Sequence, residues 1–106
     1  MVNILLVCSA GMSTSLLVTK MEKVAKEVKL DSHIWAVSTD IADENMAKAD
    51  VVLMGPQIRF MKDTMVEKGK KLGIPVDVIN SADYGTCNGK NVLKQALVML
   101  KQGKKS

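Results

Sequence analysis

This sequence has little of what nucleic-acid, flavin, metal or disulfide chemistry requires. It holds one Trp, one Tyr and one Phe among 106 residues, too few for a base-stacking platform or the aromatic walls of a flavin site. The net charge of +4 comes from lysines spread through helical segments and the tail of Lys101, Lys104 and Lys105. Such a distribution describes solvated helix faces, so no nucleic-acid partner is expected. Cys8 and Cys87 are the only cysteines. They form no Cys-x-x-Cys pair and make no disulfide framework for a domain of this size. No constellation of metal ligands exists, and neither metal nor cofactor is expected. No apolar run approaches the roughly 18 residues of a membrane span. Leu5-Leu6-Val7-Cys8 imitates a lipoprotein signal, but no basic residue precedes it and Val7 is bulkier than a cleavage site tolerates. A cytoplasmic location is expected.

What is present is an ordinary globular composition, 47% hydrophobic and 25% charged, over a length suited to one core, so residues 1–106 are read as a single domain. There is no repeat, linker or low-complexity tract. Apolar runs alternate with amphipathic stretches, the pattern of βαβ units around a parallel sheet. Val2 to Val7 is almost wholly aliphatic, as a strand buried on both faces requires. Leu17, Met21, Val24 and Val28 recur at helical spacing opposite Lys20, Lys23, Lys26 and Lys29, which predicts a helix from about Ser13 to Lys29.

His33 to Val37 reads as a second strand, Ile41 to Lys48 as a short helix, and Val51 to Met54 as a third strand closed by Gly55-Pro56. Ile58, Met61, Met65 and Leu72 form the inner face of the next helix, which Gly73 and Pro75 stop. Val76 to Ile79 is the fourth strand. Tyr84 to Gly89 reads as a turn-rich loop, and Val92, Ala96, Leu97 and Leu100 line a last helix. The expected fold is α/β: an open four-stranded parallel sheet with helices on both faces and a phosphate loop after strand one. Ligands of such sheets bind beyond the carboxyl ends of the strands, where the chain order reverses. With strand one central, residue 8 sits there.

Cys8-Ser9-Ala10-Gly11-Met12-Ser13-Thr14-Ser15 joins that buried strand to a helix. Small residues permit a tight turn, and Gly11 permits a positive φ. Successive N–H groups in such a turn form a concave nest for anions, to which the helix adds its unpaired N–H groups and the positive end of its dipole. Ser13 or Thr14 can cap the helix. Helix N-termini favour the thiolate, which is the nucleophilic form of cysteine. The same donors would then hold a phosphoryl group captured by Cys8. A buried cysteine ending a strand is often mere packing. The cluster of Gly, Ser and Thr over the next seven positions favours chemistry instead.

The run Leu5 to Val18, with Cys8-Ser9-Ala10-Gly11-Met12-Ser13-Thr14-Ser15 at its centre, resembles the phosphocysteine loop of lactose/cellobiose-type IIB components of the bacterial sugar phosphotransferase system. Gly55-Pro56-Gln57-Ile58 and Tyr84-Gly85 with Gly89 are similar too, so the likeness runs through nearly the whole chain. It implies a four-stranded parallel sheet and a phosphoryl carrier. Cys8 would accept phosphate from a histidine of a IIA protein and pass it to a sugar, a β-linked disaccharide, on the membrane permease IIC. Ser9, Ala10, Gly11, Met12, Ser13, Thr14 and Ser15 would bind the phosphate. The carrier is expected to be a monomer, with Met12 exposed on the loop's rim as an apolar contact for both partners.

Two alternatives stand beside this reading. A low-molecular-weight phosphatase or arsenate reductase uses a similar loop, but needs Cys-x5-Arg, and the sixth residue after Cys8 is Thr14. The bidentate clamp of a guanidinium is then missing, as is an Asp-Pro general acid. Asp83, beside Tyr84, could stand in, although a turn aspartate is the plainer account. A flavodoxin-like binding module is the other alternative. His33, between Ser32 and Ile34, has no evident partner and reads as structural; Cys87 reads as incidental, and most of the eight methionines as core.

Overall fold

The apolar run at the start of the chain becomes β1 (Val2–Cys8), the strand around which the other elements are arranged. The computed structural model describes residues 1–8 and 12–103, and of residues 12–14 and 103 it describes the backbone alone. β1 leads into α1 (Met12–Glu27), then β2 (Ser32–Ser38). A 3-10 turn, Thr39–Ile41, precedes α2 (Ala42–Met46), and β3 (Val51–Met54) follows. A second 3-10 segment, Pro56–Met61, opens into α3 (Lys62–Leu72), then β4 (Val76–Val78), α4 (Ser81–Gly85) and α5 (Gly89–Gly103).

The four strands form one parallel sheet in the order β2-β1-β3-β4. β1 pairs with β2 from Val2 opposite Ser32 to Cys8 opposite Ser38, and with β3 from Ile4 opposite Val51 to Val7 opposite Met54. Asp50 fixes the start of that second pairing. Its N–H donates to the Asn3 carbonyl at 2.8 Å while its carboxylate accepts from the Asn3 N–H, also at 2.8 Å.

Alternation along β1 divides the core in two, because successive side chains of a strand point to opposite faces. Ile4 and Leu6 join Leu17, Met21 and Ala25 of α1 and Val92, Leu93 and Ala96 of α5. Leu5 and Val7 face the other way, toward Ala42 and Met46 of α2, Ile58, and Met65 of α3. Each fully buried aliphatic side chain stabilises this arrangement by about 1.5–3 kcal/mol. Met21, Met46, Met54, Met65 and Met99 are buried, in keeping with methionine as gap filler.

The strands and the alternation agree with the sequence reading; several details of the helices do not. Val28 is 61% exposed rather than inward. The helix has ended at Glu27, and the Leu30 N–H bonds the Ala25 carbonyl while the Lys29 N–H bonds that of Lys26. This closing turn brings Leu30, not Val28, against the core. Leu72 is likewise exposed, bordering a surface cleft with Ala49 and Ile74. In α5 the buried stripe is Val92, Leu93, Ala96 and Met99, with Leu97 and Leu100 only half-buried. The expected loop from Tyr84 begins inside α4, whose N-terminus the Asn80 side chain caps by accepting from the N–H groups of Ala82 and Asp83. Among the described residues no helix is long and apolar enough to cross a membrane.

Candidate functional site

The chain leaves β1 for β2 on one side, and β3 lies on the other, so the carboxyl end of β1 is the point where the winding reverses. Cys8 is the last residue of β1 there and is fully buried. Neither it nor Cys87 is in a disulfide. Four residues on, α1 begins at Met12, and its first turn contains no acidic side chain to offset the positive end of its dipole.

The predicted site residues divide accordingly. Ser9, Ala10 and Gly11 lie outside the described residues, as do the side chains of Met12, Ser13 and Thr14, and with them the expected exposure of Met12. The backbone of residues 12–14 belongs to α1. Ser13 and Thr14 therefore sit within the first turn and not ahead of it, which corrects their assignment as N-caps. Their N–H groups are among those a helix start leaves without an internal acceptor. Ser15 is an exposed residue of that turn, and its carbonyl accepts from Thr19 Oγ1 at 3.1 Å.

Strand order brings further residues beside Cys8. Ser38, its register partner on β2, donates through Oγ to Asp40. On the β3 side the Gly55 N–H continues the ladder to the Val7 carbonyl at 2.8 Å. A β-carbon built on Gly55 would lie 3.4 Å from Cys8 Cβ and would collide with Gln57 Oε1, so only glycine lets the Gln57 carboxamide fold in at this place. Gln57 Nε2 in turn donates to the Tyr84 hydroxyl at 3.0 Å, tying the segment after β3 to the helix after β4. Composition gave no pointer to Gln57 and Tyr84 as a pair. The usable signal was Gly55-Pro56 at the end of a strand adjoining β1, because segments that leave neighbouring parallel strands at the same end must lie side by side.

Other candidates are accounted for by structure. Asp83 Oδ1 accepts from Asn91 Nδ2 at 3.0 Å, linking α4 to α5 in the manner of a turn aspartate. His33 pairs with Asn3, near the end of β2 remote from Ser38, and stacks on Trp35 with ring centroids 4.7 Å apart. Trp35 Nε1 donates to Asn45 Oδ1 at 2.9 Å, pinning α2 to the sheet edge. Cys87 is half-buried between α4 and α5. Arg59 is the sole arginine of the chain and is exposed.

Comparison with known proteins places these features in a family. Residues 3–95 match the family model described as PTS system, Lactose/Cellobiose specific IIB subunit. The chain is 47% identical over 100 residues to the oligo-beta-mannoside-specific EIIB component of Bacillus subtilis strain 168, covering 94% of this chain and 97% of that one. It is 48% identical over 98 residues to the galactose-specific EIIB component of Lactococcus lactis subsp. cremoris MG1363, covering 88% and 91%. The solution structure of a cellobiose-specific phosphotransferase IIB component from Borrelia burgdorferi superposes with a TM-score of 0.80 at 45% identity, covering 96% of this chain and 94% of that one. The lactose-specific IIB domain from Streptococcus pneumoniae shares the fold, with a TM-score of 0.83 at 16% identity and coverage of 92% and 96%.

Proposed function

This chain belongs to the lactose/cellobiose-specific IIB family of the phosphotransferase system, and we propose that the thiol of Cys8 carries the phosphoryl group between a IIA phosphohistidine and a sugar bound by a IIC permease. The observation that carries this reading is the place of Cys8. It is the buried end of the central strand, at the reversal of winding, directly ahead of a helix start that has no acidic residue in its first turn.

In the first step the Cys8 thiolate attacks phosphorus. The P–N bond to the donor histidine breaks, its electron pair returns to the imidazole, and an S–P bond forms. In the second a sugar hydroxyl attacks the same phosphorus, its proton passes to a base beside the sugar, and the S–P pair returns to Cys8. Backbone N–H groups of the segment Ser9, Ala10, Gly11, Met12, Ser13, Thr14 and Ser15 would hold the phosphoryl oxygens throughout. The work is positioning and charge stabilisation, which phosphoryl transfer chiefly needs.

A carrier handles only the transferred group and its surroundings. That fits relatives whose names specify oligo-β-mannosides and galactose at nearly equal identity. The sugar proposed here is a β-linked disaccharide, the protein a cytoplasmic monomer, and its partners IIA and IIC. Incubation with phosphoenolpyruvate, the general phosphotransferase proteins and a cellobiose-type IIA, followed by mass spectrometry, tests the reading. One phosphoryl group on the peptide containing Cys8 supports it; a group on His33, or none, overturns it.

A further inference from the structure

α1 and α5 cover the same face of the sheet, and an open groove runs between them. Its floor is Val24, Leu93 and Leu97, and its lips are Val28 and Val98, which are 61% and 46% exposed. The charged residues that line it are all lysines of α5, Lys90, Lys94 and Lys101. That helix contains no acidic residue to balance them, and among the described residues none of the three is in an ion pair. Their placement works against the fold. Lys90 lies in the first turn of α5, where its charge opposes the positive end of the dipole, and Lys94 stands one turn on, where like charges repel. A solvated helix face accounts for lysines, but not for an apolar strip laid open beside them.

The charge and shape of the groove select its occupant. A second copy of this chain, paired two-fold, would set the lysine stripe against itself. A lipid surface is flat, so it would reach Val28 and Val98 but not the floor between them. Nucleic-acid phosphates match the lysines and offer the apolar floor nothing. Ser9 to Gly11 and Lys104 to Ser106, outside the described structure, hold no apolar side chain larger than alanine, so neither segment supplies a cover. A third helix fits, because the groove between two helices takes the side-chain ridge of another. We propose that this groove seats an amphipathic helix of another protein, its apolar stripe on Leu93 and Leu97 and its acidic flanks against Lys90, Lys94 and Lys101. The Val2 N–H bonds the Asp31 carbonyl, which puts the end of α1, and Val28 with it, by the start of β1 and a strand's length from Cys8. A partner held there leaves the Cys8 end open and raises the local concentration of whatever site it presents to that end. The proposal does not depend on Cys8 as carrier.

The test titrates the full-length protein with a lactam-bridged peptide of about four helical turns, bearing a leucine stripe flanked by glutamates. Backbone amide resonances report where it binds and how tightly. Saturable binding is expected, with the largest shifts at Val24, Val28, Leu93, Leu97 and Val98. Replacing the glutamates of the peptide by lysine should abolish it. Lys90→Glu with Lys94→Glu should weaken it about tenfold, since two exposed attractions become repulsions. The same pair of substitutions should leave the melting temperature unchanged or higher, because the dipole favours an acid in the first turn. Val98→Asp, on an exposed lip, should weaken binding by a similar factor and decides the matter if the double variant fails to fold. Absence of saturable binding, equal binding of the lysine peptide, or shifts away from α1 and α5 overturns the proposal. So does binding to phosphatidylglycerol vesicles or duplex DNA in place of the peptide, or self-association in sedimentation that Lys94→Glu abolishes.

Discussion

Lys29 closes α1 in the same left-handed conformation with which Gly73 closes α3, at φ 58° and 73° respectively. The hydrogen bonds also correspond. Leu30 N–H reaches the Ala25 carbonyl as Ile74 N–H reaches that of Gly69, each at 2.8 Å. Both are Schellman turns, but only one uses the residue without a β-carbon.

Lys29→Gly should therefore stabilise the protein. Relief of the left-handed strain is worth about 1–2 kcal/mol, and the greater freedom of glycine in the unfolded chain offsets about half of it. Lys29 is exposed, so little packing is lost. The net expectation is about 0.5–1 kcal/mol, a rise of roughly 3 °C in melting temperature. Gly73→Ala should lower it by a similar amount. Thermal unfolding of the two variants checks both, and an unstable Lys29→Gly would contradict the account.

Gly89 fails for a different reason when it acquires a side chain. It begins α5 where that helix crosses α1, and a β-carbon would stand 2.6 Å from the Lys20 carbonyl carbon and 2.8 Å from the Met21 nitrogen. Those neighbours are backbone and cannot swing aside. Gly89→Ala should cost about 1–3 kcal/mol through forced separation of the two helices, outweighing the better helix propensity of alanine. Denaturant unfolding measures this; a midpoint at or above that of the wild type removes the packing argument.

The residues that could be read in advance are those whose reasons are local. Val51 to Met54 and Val2 to Val7 are aliphatic without a break, and that is what burial on both faces of a sheet demands. Gly73 before Pro75 signalled a helix end by its chemistry alone. Val28 misled because the apolar spacing continued one step past a turn that Lys29 makes without glycine. α4 was hidden because Gly85, Thr86, Asn88 and Gly89 are turn formers, while the cap that starts the helix is the preceding Asn80. Cys8 could be singled out from the small residues that follow it. Gln57 and Tyr84 are marked only as parts of two separate motifs; their pairing could not be read, since they are 27 residues apart and meet only because β4 lies next to β3.

The roles of the two cysteines separate cleanly by substitution. Cys8→Ser should abolish phosphoryl acceptance from IIA while retaining the fold, because serine is nearly isosteric but far less acidic. Cys87→Ser and His33→Ala should both accept the group at about the wild-type rate, Cys87 being held in a connecting turn and His33 near the far end of β2. Circular dichroism establishes folding, and radiolabel transfer from phosphoenolpyruvate establishes acceptance. Incorporation into Cys8→Ser would place the carrier elsewhere.

The phosphorylated protein should also be a poor phosphatase toward itself and toward small esters. Hydrolysis of a phosphocysteine needs a water molecule deprotonated in line with the S–P bond, and a clamp that stabilises charge on the departing group. Thr14 stands at the sixth position after Cys8, where phosphatases with this loop have arginine. The sole arginine, Arg59, is exposed on the segment after β3. Asp83, the nearest candidate for an acid or base after β4, is engaged by Asn91. The phosphoryl group should accordingly persist until a partner docks. Turnover of p-nitrophenyl phosphate should lie far below the roughly 1 per second of ordinary enzymes. Thr14→Arg should raise affinity for free phosphate through bidentate contacts, and should slow onward transfer because the group is then held more firmly. Efficient hydrolysis of p-nitrophenyl phosphate by the wild type would mean that the loop activates water without an arginine, and the carrier reading would lose its chemical basis.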